Sequence, residues 1–237
     1  MDSELKSTLY YFYKYSYKTV MIFWLVYFGF IALFMTLALT TQGTVEFQGV
    51  NTLPSTIFMI IFGMLCIKDV FPFVIKFGVS RQKFTLATLV YALMLSTFML
   101  VANHGFFIVT DNLIDVLNIN NFNFVSFNAD QYAPLINGNE YLFEWLMYLT
   151  FFLFFSLISA LFYRLGMKWG LVVLSILPLS MLIQPVGTQI LEYLSYLSLF
   201  HANYQPIYFL IPISLIVALL GLVIQKMSVI DQVSYKG

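Results

Sequence analysis

From Val20 to Leu39 twenty consecutive residues carry no charge. A helix of that length, at ~1.5 Å rise per residue, reaches about 30 Å, the hydrocarbon thickness of a bilayer. A secretory leader has a shorter apolar core, roughly 7–15 residues, and ends at a small-residue cleavage site, so this run reads as a retained anchor. Runs of the same kind recur along the chain, and they predict six spans at 20–40, 53–67, 85–108, 142–163, 169–185 and 207–225. Pro178 is placed to kink the fifth. Only 9% of the 237 residues are charged, whereas a soluble domain needs roughly a quarter to cover its surface. The expected fold is therefore an all-α integral membrane protein, one transmembrane domain over residues 1–237.

The basic residues orient it. Lys6, Lys14 and Lys18 precede the first run; Lys68, Lys76, Arg81 and Lys83 lie between the second and third. Arg164 and Lys168 separate the fourth from the fifth, while Lys226 and Lys236 follow the sixth. All 11 basic residues thus fall on one face, with the acids Asp2, Glu4, Asp69 and Asp231, a balance of +11 − 4 = +7. The opposite loops carry Glu46, Asp111, Asp115, Asp130, Glu140, Glu144 and Glu192 and no basic residue, a balance of −7. The positive-inside rule makes the basic face, and both termini, cytoplasmic.

Four connecting segments are informative. Leu5–Val20 holds five tyrosines and three lysines; tyrosine prefers the headgroup level and lysine snorkels, which predicts an amphipathic elbow helix over 5–19 along the inner leaflet. A frayed tail with interfacial tyrosines is the alternative. The outer loop 109–141 has eight asparagines, Pro134 and Gly138, ordinary turn chemistry, with Leu113, Ile114, Leu117 and Ile119 suggesting a short surface helix. In 186–205, Leu191, Leu194, Leu197 and Phe200 make one apolar stripe, a re-entrant or surface-lying helix. The inner segment 68–83 is broken by Pro72 and Gly78, and its aromatics exceed what a connecting hairpin requires.

The search for chemistry is mostly negative. No phosphate-binding loop and no His-Glu-x-x-His occurs, and the single cysteine, Cys66, excludes an intrachain disulfide and a thiolate metal set. His104 and His201 read as locally bonded interfacial residues rather than metal ligands. Ser156, Ser159, Ser175 and Ser180 lack a histidine at membrane depth and read as close-packing residues or interhelical donors. Almost no charge is placed deep in a run, which argues against a proton- or sodium-driven carrier.

Gly78-Val79-Ser80-Arg81-Gln82-Lys83-Phe84, just before the third run, and Phe162–Gly170, between the fourth and fifth, resemble the small membrane subunits of ABC-2 type exporters of Gram-positive bacteria. The resemblance implies a cytoplasmic coupling helix between the second and third spans that docks on a separate ABC ATPase subunit, where ATP and Mg2+ would be bound. No cofactor or metal is expected in this chain, no catalytic residue, and no nucleic-acid partner. The coupling contact would involve Phe71, Phe73, Lys76, Phe77, Gly78, Ser80, Arg81 and Lys83, with Arg164 and Lys168 as a second cytoplasmic contact. A second permease copy or paralogue would complete the export path in the bacterial plasma membrane. The cargo would be hydrophobic or amphipathic; among small members the likeness is to exporters of amphipathic, phenol-soluble peptide toxins. The family places its main outer structure between spans five and six, whereas here the longer outer loop lies between three and four. The rival readings are a non-transporting immunity or sensor protein that binds peptides in the bilayer, and an intramembrane enzyme, for which no constellation is present.

Overall fold

The computed structural model describes residues 3–41, 45, 47–50, 52–125, 139–199, 201 and 203–228. Asp2, Glu46, Asp130, Pro134, Gly138, Phe200, Asp231 and Lys236 lie outside the described residues. The elements run α1 (Ser3–Thr41), β1 (Phe47–Val50), α2 (Thr52–Leu65), a π-turn (Cys66–Val70), α3 (Phe71–Lys76), α4 (Arg81–Val116) and β2 (Phe122–Val125). Then follow α5 (Glu140–Met181), α6 (Gln184–Leu197), a 3-10 turn (Pro206–Phe209) and α7 (Leu210–Gln225). Among the described residues five helical stretches are long and apolar enough to cross a membrane: Ser3–Thr41, Thr52–Lys76, Arg81–Val116, Glu140–Met181 and Pro206–Gln225.

α1 corrects the expectation of a separate elbow over 5–19. Its 39 residues form one helix, because nothing breaks the chain there: no proline occurs and the first glycine is Gly29. One stripe of α1, from Phe12 through Val20, Tyr27 and Ile31 to Ala38, is buried. Its other faces, such as Met21 and Leu25, stay exposed and apolar, as lipid-facing helix requires.

The second run also continues further than read. Pro72 does not break it; it sits in the first turn of α3, directly after the π-turn. Proline lacks an N–H and crowds the carbonyl four residues back, and a locally widened turn accommodates both. Gly78 does end the segment, at φ 86°. Its N–H bonds to Ile75 O and the Val79 N–H to Val74 O, the pair of bonds that closes a helix through a left-handed residue. α4 then begins on Ser80, whose hydroxyl accepts from Lys83 N. The far end of α4 runs to Val116, eight residues past the expected boundary, so Leu113 and Ile114 belong to it rather than to a separate surface helix. Asn118, at φ 52°, closes it. Asn121 donates to Ala38 O and Val45 O, capping the end of α1. Beside it, β1 and β2 pair in parallel, Phe47 opposite Phe122, a small ladder that apolar periodicity did not announce.

The 42-residue α5 contains the fourth run and the fifth as far as Met181. Its break is Gly166, at φ 76° and ψ 168°, a conformation open in practice only to glycine. A Cβ built on Gly170 would collide with the Phe162 ring, although eight residues of straight helix separate Cα atoms by about 12 Å. The chain therefore bends sharply at Gly166, which brings Gly170 onto the Phe162 ring. Gly166→Ala is expected to lose about 1–3 kcal/mol of stability from the forced backbone, read as a lowered thermal midpoint in detergent. An unchanged midpoint would mean that the turn does not need this backbone angle.

The core is the crossing of α2 with α5. A Cβ on Gly63 would lie 2.6 Å from Phe152 O, so the backbones meet directly. Ser156 Oγ donates to Gly63 O at 3.1 Å and Ser159 Oγ to Met64 O at 2.7 Å. Both serines are interhelical donors, as their setting in the sequence suggested.

Candidate functional site

Contacts sort the helix ends into two groups. Ser80 N lies 3.4 Å from Glu4 Oε2, Tyr15 OH donates to Asp69 at 2.6 Å, and Arg81 Nη1 donates to Gln225 O at 2.6 Å. The Phe71 ring meets Tyr163 edge-on at 5.6 Å. These contacts bring the start of α1, α3, the start of α4, the turn of α5 and the end of α7 to one end. Every described Lys and Arg belongs there, with Glu4 and Asp69 as the described acids. That end carries the coupling residues expected from the sequence.

They divide into two kinds. Phe71 is fully buried, packed edge-on against Phe84 and Tyr163, so it holds α3 to the bundle. Arg81 is used internally, since its guanidinium caps the last turn of α7, and Ser80 and Gly78 shape the turn. By contrast Phe73 is 42% and Phe77 72% exposed. Tyr11 stacks on Phe73 at 4.4 Å, and Phe73 lies 4.5 Å from Phe77, which makes a row of three rings. Lys76, Arg164 and Lys168 are exposed at the same end, giving the row a basic surround. An apolar cluster of this kind among cations suits a protein groove better than water.

Along the bundle, an apolar groove of about 720 Å³ separates α1 from α2, lined by Ile22, Phe23, Phe30, Pro54, Ile57 and Ile61 among others. It presents hydrocarbon almost alone, and among the described residues no group of three metal-binding side chains exists.

The opposite end holds a cluster that sequence reading missed. Glu144 was counted with the outer-loop acids, yet it is only 3% exposed. Asn103 Nδ2 donates to its Oε1 at 2.7 Å, and Tyr148 OH donates to the same oxygen. Ser55 Oγ lies 3.3 Å from Asn103 Oδ1. The second oxygen, Oε2, faces His104 Nε2 at 3.1 Å. That nitrogen is buried and makes no hydrogen bond to a described residue. The signal was an acid inside one apolar run and an Asn-His pair inside another. The expectation that Glu144 belongs to an outer loop is corrected here, since it lies buried among the helices. On the same side, burial raises the phenols of Tyr204 and, with Tyr208 beside it, Tyr193. The Tyr193 hydroxyl stays protonated and donates to Tyr208 O at 2.7 Å.

Length, composition and packing are those of a multi-pass helical membrane protein. Compared with known protein families, with curated proteins and with solved structures, the chain finds no match in any of the three.

Proposed function

We propose that the chain is the membrane subunit of an exporter whose ATP is hydrolysed by a separate ABC ATPase, which holds the nucleotide and Mg2+. The observation that carries the reading is the exposed ring row Tyr11–Phe73–Phe77 at the basic end, set on a short helix that Gly78 stops. In this reading the two limbs of α5 are separate spans, which makes six, and the basic end with both termini is cytoplasmic. The cell membrane of a bacterium is its place, and a second permease copy or paralogue flanks the path. The cargo is hydrophobic or amphipathic, best matched by amphipathic peptides, and the apolar groove between α1 and α2 supports that class.

The test is co-purification of the tagged chain from its own cells, followed by reconstitution in lipid vesicles with the ATPase that associates. Amphipathic helical peptides are expected to stimulate ATP hydrolysis several-fold and to accumulate on the far side. Absence of any nucleotide-binding partner, with peptide protection intact, would instead favour a sequestering immunity protein.

A further inference from the structure

The cluster around Glu144 joins three helices at the end remote from the basic residues: Ser55 from α2, Asn103 and His104 from α4, Glu144 and Tyr148 from α5. A carboxylate in such surroundings is costly unless paired and hydrogen-bonded. Oε1 is already engaged by two donors, so it is an acceptor only. Oε2 and His104 Nε2 stand 3.1 Å apart without a hydrogen bond formed between them, and two lone-pair sites at that distance repel unless one of the two atoms carries a proton. With one proton the pair is neutral overall, whichever atom carries it. With none it is a buried anion, and with two it is a buried cation, neutral carboxyl beside imidazolium, with the attraction across α4 and α5 gone.

The other ionisable groups facing the pair offer no substitute partner. Tyr141 and Tyr148 come from α5, where Glu140 stands one turn earlier; the Tyr141 ring meets His104 edge-on at 4.4 Å. α1 brings Tyr27, whose hydroxyl is buried without a hydrogen bond among the described residues, and α2 brings only Ser55. Every described Lys and Arg is at the other end. His104 is 24% exposed, which gives protons a way in from solution.

We propose that Glu144 and His104 hold one exchangeable proton between them and form an acid-sensitive latch on the outer end of the bundle. Bound to one proton it ties α4 to α5; uptake of a second from the outer solution neutralises the carboxyl, leaves the imidazolium unpaired and releases that end. The inference rests on the orientation proposed above for the word outer, but not on any ATPase, so it stands or fails separately from the exporter reading.

The experiment uses the full chain in lipid nanodiscs, with spin labels at Val116 and Leu142, both exposed near the ends of α4 and α5. Cys66 is fully buried and need not be replaced. As the solution is taken from neutral to mildly acidic, the label separation is expected to lengthen in the wild type. Glu144→Gln keeps a neutral acceptor for Asn103 and Tyr148 but gives an imidazolium no carboxylate to pair with, so it is expected to reach the long separation at a higher pH than the wild type. His104→Gln, which cannot take the second proton, is expected to lose the pH response and serves as the reading if Glu144→Gln does not fold. A wild-type separation that does not move with pH, an unshifted response in folded Glu144→Gln, or a response that survives in folded His104→Gln overturns the latch.

Discussion

Gly63→Ala is expected to destabilise the bundle more than the loss of any hydrogen bond that spans the same crossing. The added Cβ would lie 2.6 Å from Phe152 O, and its neighbour is backbone, which cannot rotate away. The helices must move apart, and with them the contacts of Phe62, Phe152 and Leu153, all essentially inaccessible. Overpacking of this kind costs typically 1–3 kcal/mol, and Gly63→Leu, with a side chain to accommodate, is expected to yield no folded protein. Ser156→Ala at the same crossing removes one interhelical hydrogen bond, worth about 0.6 kcal/mol on average in membrane bundles. The comparison separates the two contributions. Monodisperse yield and thermal midpoint should fall in the order wild type, Ser156→Ala, Gly63→Ala. If the two alanine variants were equally mild, close backbone approach would not be what holds α2 on α5.

The two helices meet this way because lipid offers no hydrophobic drive for association. Without that drive, packing contact and hydrogen bonds to helix carbonyls decide which faces pair. A chain rich in phenylalanine has many apolar faces, so the small residues do the selecting. Gly63 and the two serines mark one face among several that hydropathy alone leaves equivalent.

What was legible in the sequence follows a physical rule. Features set by a residue and its near neighbours were readable: the break at Gly78, the amphipathic stretch now seen as α6, and the basic residues gathered at one end. Features set by partners far along the chain were not. Glu144 meets Asn103 across a separation of 41 residues and Arg81 meets Gln225 across 144, and neither partner changes the local pattern of the other. An acid at the third residue of an apolar run looks like a loop residue until three helices close over it. The parallel pairing of Phe47–Val50 with Phe122–Val125 is hidden for the same reason. The elbow failed differently: tyrosines and lysines describe a depth in the membrane, but only a glycine, a proline or a cap turns a helix, and Ser3–Thr41 supplies none that does.

The separation of buried from exposed coupling residues sharpens the second large expectation. If the exporter reading proposed above holds, Phe73→Ala with Phe77→Ala should leave folding intact and abolish capture of the proposed ATPase. Fully burying one phenylalanine side chain in a partner groove contributes about 1.5–3 kcal/mol. The two rings touch, so their effects are not additive, and a combined loss of roughly 3 kcal/mol is the conservative figure. That corresponds to about 100-fold weaker association, enough to remove the partner during purification and to silence peptide-stimulated hydrolysis. Phe71→Ala is the contrasting variant: fully buried between Phe84 and Tyr163, it should cost about 3–5 kcal/mol of stability and lower the thermal midpoint. Arg81→Ala belongs with it, since the guanidinium holds the last turn of α7. A double variant that still retains the ATPase at wild-type strength would exclude the ring row as the contact. The turn of α5, with Arg164 and Lys168 exposed beside it, would then be the remaining surface at that end on which a motor can dock.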